Sequence, residues 1–284
     1  MMHALLVAAL VVGTWNGNWF PSGRAEHRAH PDVEEATAVA AAKMLAAGLR
    51  AVDPQGTNDV VLCLNEIRGP RAASNLVSRI GREGLRVVVV SGYRRRDRFD
   101  QQQDVIATTL PVAEAHWSRW KWAGKETPPR GYAFAALVVD PATTANVYAV
   151  HLKSNYGATT PELRQTNRTK RAHAVRQLVE QERPKRGRPK RPVIIAGDMN
   201  ADKWRKEFAG EQIFPLFEEE GGFANLLAAL PEGARGTHPS LKHGSSALDY
   251  IFCRGFDAHG LPQIVENDGL SDHQAVFAVL RTTH

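Results

Sequence analysis

Apolar runs of strand length alternate with stretches of helical period along almost the whole chain. Residues 5–15, 60–64, 85–90, 104–109, 132–139, 145–152, 193–196, 248–253 and 275–280 read as strands. Three segments carry helical spacing: 32–51, which is rich in Ala, 70–81, and 161–182, whose predicted buried stripe is Leu163, Ala174, Leu178 and Val179. Strands interleaved with helices predict an α/β fold. No internal repeat and no long linker interrupts the pattern, so one domain over residues 1–284 is expected. Residues 117–129 ("WSRWKWAGKETPP") read as a loop with three Trp residues and interleaved bases. Two readings of that loop stand side by side: an aromatic cluster packed on the core, or a surface that stacks on bases or touches a membrane.

Composition adds little except through charge. With 43% hydrophobic and 23% charged residues, the chain has the make-up of a globular protein with a sizeable core. Its two cysteines, Cys63 and Cys253, lie in apolar runs and read as buried thiols, too few and too far apart for a disulfide framework or a zinc site. Lys and Arg number 36 against 30 acidic residues. The ten-residue stretch "RPKRGRPKRP" (183–192) holds six Lys or Arg and no acid, so the whole surplus resides there. That placement suggests a polyanionic partner. The N-terminal "MMHALLVAALVVG" is apolar like a secretory signal but has no Lys or Arg ahead of its apolar run. It reads as a buried strand of a cytoplasmic protein, with secretion as the alternative.

The chemistry gathers at strand ends. "PVIIAGDMNA" (192–201) is a short core strand that breaks at Gly197 and delivers Asp198 and Asn200, side by side if the chain stays extended. A turn would use the same residues. Yet the first strand leads to Asn16, "VVLCLNEI" ends in Glu66, and "VYAVHLKSN" brings His151 to a strand end with Lys153 and Asn155 on its side by alternation. "ALDYIF" opens with Asp249, and "GLSDHQAVF" sets Asp272 and His273 just before the last strand. Six such ends in one chain exceed what turns require. Glu66, Asp272, Asn16 and Asn200 offer hard oxygen atoms suited to Mg²⁺ or Mn²⁺. His151 and His273 are suited to donating to a phosphoryl oxygen, and Asp198 to orienting or deprotonating a water. Together they describe metal-assisted hydrolysis of a phosphate ester.

The ordered series "TWN", "NE", "HLKSN", "GDMN", "LDYIF" and "SDH", spread over residues 14–276, resembles the endonuclease/exonuclease/phosphatase superfamily, the group of deoxyribonuclease I and exonuclease III. The resemblance implies a four-layer α/β/β/α sandwich with two mixed β-sheets face to face. It also implies Glu66 as the main metal ligand with Asn16 and Asp272 nearby, and Asp198 acting on the attacking water. Asn200 would hold that water or a phosphate oxygen, Asp249 would pair with His273, and His273 and His151 would contact the phosphate from two sides. One departure is Asn18, where many members carry an acid, which counts against tight binding of a second metal. Glu126 is the one carboxylate suggested for orienting His151.

Members of the superfamily cleave DNA, RNA, inositol phosphates and sphingomyelin, so the resemblance leaves the substrate open. Nucleic acid, DNA foremost, is favoured by the "HLKSN" form of its motif, by Arg130 placed to reach a phosphate, and by the basic run. The core of that run, "KRGRPKRP", resembles the AT-hook of minor-groove binders. A monomeric Mg²⁺- or Mn²⁺-dependent nuclease without stable membrane association is therefore expected, substrate contacts coming from Arg130, Lys153 and Asn155. The alternatives are a lipid phosphodiesterase or phosphatase of the same superfamily and, less favoured, a non-catalytic DNA-binding module.

Overall fold

A computed structural model of the chain describes residues 9–22, 30–95, 98–99, 102–184, 191–240 and 244–283. In chain order its first half runs β1 (Ala9–Phe20), α1 (Pro31–Val52), β2 (Asp59–Ile67), α2 (Pro70–Ser78), β3 (Arg86–Val90), the two-residue β4 (Arg94–Arg95) and β5 (Arg98–Phe99), β6 (Gln103–Thr108) and β7 (Val112–Arg119). There follow β8 (Gly131–Asp140), β9 (Thr143–His151), α3 (Pro161–Gln181), β10 (Val193–Asp198) and the single turn α4 (Ile213–Pro215). The chain closes with β11 (Ala224–Asn225), β12 (Asp249–Arg254), β13 (Phe256–Ala258), β14 (Gln263–Val265) and β15 (Ala275–Thr282).

The long strands form two sheets. One is ordered β13-β15-β1-β2-β6-β3, with β14 also on β15, and the other β11-β12-β10-β9-β8-β7. Each is mixed, with one parallel pair: β1 with β2, and β9 with β10. Alternation along β1 sorts its side chains between two cores. Leu10 and Val12 join the cluster that contains Cys63, Ile106, Ala133, Tyr148, Ile195 and Tyr250, which fills the space between the sheets and continues under α3. Val11 faces the other way, into the cluster of Leu62, Phe277, Ala41, Leu45 and Leu76 beneath α1 and α2. Four layers result: α1 and α2, the first sheet, the second sheet, and α3. Central strands such as β2 are buried on both faces, hence the unbroken apolar run "VVLCL". Among the described residues, no helix is long and apolar enough to cross a membrane.

Several expectations need correction. The strand expected at 5–15 is observed from Ala9, residues 5–8 lying outside the described residues, and it runs on to Phe20. Leu163 is 48% exposed. The stripe is continued at its i+4 and i+8 positions by buried Asn167 and Arg171, which tie the helix to the loop after β9 instead. The Trp-rich segment is no single loop. Trp117 belongs to β7, meets Tyr93 edge-on and is 38% exposed, Trp120 is buried against Tyr132, and Trp122 stands 84% exposed. The basic stretch is described only at Arg183, Pro184, Arg191 and Pro192; its AT-hook-like core, residues 185–190, lies outside the described residues.

Candidate active site

Register in the second sheet assembles the centre of the site. Asp198, the last residue of β10, aligns with His151 on parallel β9 and with Asp249 on antiparallel β12. Partners in register point to one face, so three functional side chains stand in a row, turned toward the first sheet. Gly197 makes this junction feasible. Its φ is +145°, and a Cβ there would sit 1.9 Å from the Val150 carbonyl oxygen and 2.9 Å from Asn65 Oδ1. The glycine in "GDMN" is thus a packing requirement.

The first sheet contributes from its own strand ends. Asn16 aligns with Asn65, and the β1–β2 register shifts between Asn16 and Phe20, as does β2–β6 between Leu64 and Ile67. Such bulges re-aim side chains. Glu66 falls within the second shift and has φ +56°, a left-handed conformation that costs an ordinary residue energy and is concentrated at functional sites. Its neighbour Asn65, fully buried, spans the gap between the sheets. Asn65 Nδ2 donates to Asp104 Oδ1 at 2.7 Å, and Asn65 Oδ1 accepts from the Asp198 backbone N–H at 3.1 Å. Tyr93 donates to the other oxygen of Asp104 at 3.0 Å.

What emerges is a line of alternating carboxylates and imidazoles. His151 Nε2 lies 3.6 Å from Glu66 Oε1 and 3.5 Å from Asp198 Oδ2. His273 Nε2 lies 3.9 Å from Asp198 Oδ2 and 3.9 Å from Asp272 Oδ1. His238 Nε2 closes the line, 3.6 Å from Asp272 Oδ2. The loop carrying Asp272 and His273 is pinned from below. Ser271 Oγ donates to the Asn16 carbonyl at 2.7 Å, and the His273 carbonyl accepts from Trp15 Nε1 at 3.1 Å.

Environment separates the protonation states. Burial pushes the Asp198 carboxyl up to about 7, the His273 charge pulling it down and Asp249 adding to the push. Burial opposes charge on His273, but the carboxylates of Asp249, 2.8 Å from Nδ1, and of Asp198 outweigh it and raise the imidazole to about 10. His151 goes the other way. Burial first, then the positive charge of Arg130, holds its pKa well below the usual imidazole value. Glu66 is raised by burial, countered by a hydrogen bond with Gln102, the charge of Arg130 and Asn16. Near neutral pH the site therefore holds a charged imidazolium, a neutral imidazole and a carboxylate poised to exchange a proton.

The expected residues divide. Glu66, Asn16, Asp198, Asn200, His151, Asp249 and His273 come together, and Asp249 does pair with His273. Asn16 turns its Nδ2 to Glu66 Oε1 (3.3 Å) and Asp198 Oδ2 (2.9 Å), while its Oδ1 accepts from the Asn18 N–H. It bridges the carboxylates as placed; the flipped amide would offer an oxygen. Asn200 (φ +51°) donates from Nδ2 to Asp198 Oδ2 at 2.8 Å and to the Leu152 carbonyl at 3.2 Å. Arg130 is an internal strut: it donates to Gln102 Oε1 and to the carbonyls of His151 and Leu152. Lys153 and Asn155 are held by contacts of their own, although the charge of Lys153 reaches His151. β9 ends at His151, so alternation stops there; Lys153 Nζ folds back to the Ser154 carbonyl, and Asn155 Oδ1 accepts from buried Arg171. Glu126 does not orient His151 but lies 3.2 Å from His173 on α3, and among the described residues His151 Nδ1 has no hydrogen-bond partner. Sequence reasoning missed Thr237, whose Oγ1 donates to Asp249 Oδ2 at 2.8 Å, together with Asn65, Asp104 and His238. Only "NE" carried a signal for any of these, since Asn65 directly precedes Glu66.

Residues 13–273 match the Endonuclease/Exonuclease/phosphatase family. No curated protein matches the sequence. Among solved structures, an endonuclease/exonuclease/phosphatase from Beutenbergia cavernae DSM 12333 is similar at 17% identity over 97% of this chain and 72% of that one, with a TM-score of 0.63. D. rerio TDP2 complexed with a single-strand DNA product is similar at 14% identity over 96% and 99% of the two chains, with a TM-score of 0.62. Sphingomyelinase C from Streptomyces griseocarneus gives 17% identity over 95% and 99%, with a TM-score of 0.60.

Proposed function

This chain belongs to the Endonuclease/Exonuclease/phosphatase family of metal-dependent phosphodiester hydrolases, and from that premise we propose that it is a nuclease that hydrolyses DNA phosphodiester bonds with Mg²⁺ or Mn²⁺. The observation that carries the hydrolytic reading is the separation of protonation states around one opening: Asp198 near 7 beside His273 near 10. Asp198, steadied by the amides of Asn16 and Asn200, takes the proton of the attacking water. His273, held as an imidazolium by Asp249, donates to a phosphoryl oxygen as charge builds there. His151, kept neutral, donates from Nε2 on the other side of Asp198. The donor set fits a divalent cation, because Glu66 and Asp198 are buried carboxylates bridged by neutral groups, the Asn16 amide and the His151 imidazole. Glu66 would hold the ion, with Asn16 in its flipped orientation and with Asp272. When bound it supplies Lewis-acid charge to the phosphate.

DNA as substrate is supported by charge placement. Arg183 and Arg191 belong to the stretch that holds the surplus of positive charge, and Arg191 precedes β10, whose other end is Asp198. By strand rise the two ends are roughly 20 Å apart, within the span of a short duplex. A lipid phosphodiesterase is the second reading, favoured by the exposed Trp122. Incubation with Mg²⁺ and, in turn, supercoiled plasmid, single-stranded DNA, RNA and sphingomyelin vesicles separates the two. Chelator-sensitive cleavage of DNA is expected, and turnover of sphingomyelin alone overturns the nuclease reading.

A further inference from the structure

His238 has no part in the hydrolysis described above, yet it stands at the end of the line of imidazoles and carboxylates. One nitrogen of His238, one oxygen of Asp272 and one nitrogen of His273 all lie within 4.8 Å of one another. The individual separations are 3.6 Å from His238 Nε2 to Asp272 Oδ2 and 3.9 Å from His273 Nε2 to Asp272 Oδ1. The two rings meet edge to face at 4.8 Å. Ligands about 2.0–2.1 Å from a tetrahedral zinc ion stand a little over 3 Å from one another, so small rotations would close this set on a metal.

Three further observations give the cluster the build of a metal centre. Its donors are two imidazoles and one carboxylate, a set that suits zinc and its transition-metal neighbours better than Mg²⁺, which takes oxygen. His273 already has the outer partner typical of a metal-bound imidazole. Its Nδ1 is 2.8 Å from Asp249 Oδ2, which is held in turn by the Thr237 hydroxyl, and this arrangement turns Nε2 outward, where a metal ion would take the place of its proton. Finally, Asp272 is exposed and His238 partly so, leaving an approach from solvent and room for a fourth ligand. His238 is positioned by the main chain, through a two-way backbone pairing with Ser246.

We propose that His238, Asp272 and His273 form a second cation site that takes Zn²⁺ or a similar nitrogen-preferring ion and that shares Asp272 with the oxygen site around Glu66. Occupancy withdraws His273 and Asp272 from the hydrolytic site, so Zn²⁺ acts as an inhibitor of the Mg²⁺-dependent reaction. The inhibition rests on the function proposed above; the binding does not.

The test is Zn²⁺ titration of the full chain by calorimetry in excess Mg²⁺, comparing wild type, His238→Ala and His238→Gln. One Zn²⁺ per chain is expected in wild type, with affinity falling about ten- to a hundred-fold or more in both variants, since even an outer-shell loss costs that much. Measured against its own rate without Zn²⁺, each variant should resist Zn²⁺ that silences wild type. Identical isotherms for wild type and both variants overturn the proposal, as does Zn²⁺ binding that is lost in Glu66→Gln and kept in His238→Ala. A protein that binds Zn²⁺ through His238 but cleaves no phosphodiester keeps this site and removes the nuclease reading instead.

Discussion

Replacing Asp249 with Asn removes one negative charge 2.8 Å from His273 Nδ1 and leaves an oxygen for the Thr237 hydroxyl. Burial alone would discharge this imidazole; Asp249 is the largest force that keeps it charged, followed by Asp198. An opposite charge this close in a desolvated site typically moves a pKa by about 1–3 units, or about 1.4–4 kcal/mol. The His273 pKa should therefore fall from about 10 by that amount. Two consequences follow, each with a definite sign. The imidazolium that donates to the phosphate is lost at lower pH, so the alkaline limb of the pH–kcat profile moves down by the same 1–3 units, and kcat at pH 9 drops about two-fold for a shift of one unit and about ninety-fold for a shift of three. Stability follows linkage. A raised imidazole stabilises the fold fully below its ordinary value of 6.5, and that contribution fades as pH climbs through about 10. Asp249→Asn should thus lower the unfolding free energy at pH 6 and change it little above pH 10. NMR titration of the His273 ring in chelator-treated protein reads the pKa directly, and Thr237→Val, which keeps the charge, serves as control. If the ring of the variant titrates where wild type does, the electrostatic account of the site is wrong.

Three further outcomes are expected. Glu66→Gln keeps the shape but removes the charge a hard cation needs, so turnover should fall by orders of magnitude, as it should for wild type in excess chelator; normal rates in either case refute the metal assignment. Gly197→Ala drives a methyl to 1.9 Å from the Val150 carbonyl, and since backbone in register cannot yield, it should cost at least the overpacking range of about 1–3 kcal/mol and visibly lower Tm; an unchanged Tm with full activity contradicts the packing argument. Changing Arg186, Arg188, Lys190 and Arg191 to Gln should weaken DNA binding and flatten the logarithmic salt slope by about 0.9 per lost phosphate contact. Hydrolysis of bis-nitrophenyl phosphate should stay at the wild-type rate. A larger loss on A·T-rich than on G·C-rich duplex would mark AT-hook behaviour, and an unaltered slope removes the segment from substrate capture.

The layers of the fold were legible because hydrophobic period reports burial, and β2, β9, β10, β12 and β15 lie where their apolar runs lie. Site residues were legible where a polar side chain interrupts such a run at its end, as at Glu66, His151 and Asp198. Reasoning by alternation failed beyond His151, since the period of two holds only while pairing lasts, and Asn155 turns back to Arg171. Bulges are invisible in composition, so the re-aiming of Glu66 could not be foreseen. Nor could Thr237, Asp104 and His238, whose roles depend on neighbours distant in the chain. The edge strand β7 was missed because its residues alternate weakly, with one face open to solvent.

Asn65 ties Asp104 in one sheet to the Asp198 backbone in the other. Half of the reactive groups ride on each slab, and this amide is a rivet through the seam. Catalysis is accordingly a gauge of how tightly the two slabs are clamped. Any solvent, temperature or substitution that lets them breathe by an ångström separates Glu66 from Asp198 while every strand keeps its own partners. On gradual heating, turnover should fade while far-ultraviolet circular dichroism still reports intact sheets, and a molecule wedged into the seam would silence the enzyme without approaching the mouth where substrate enters.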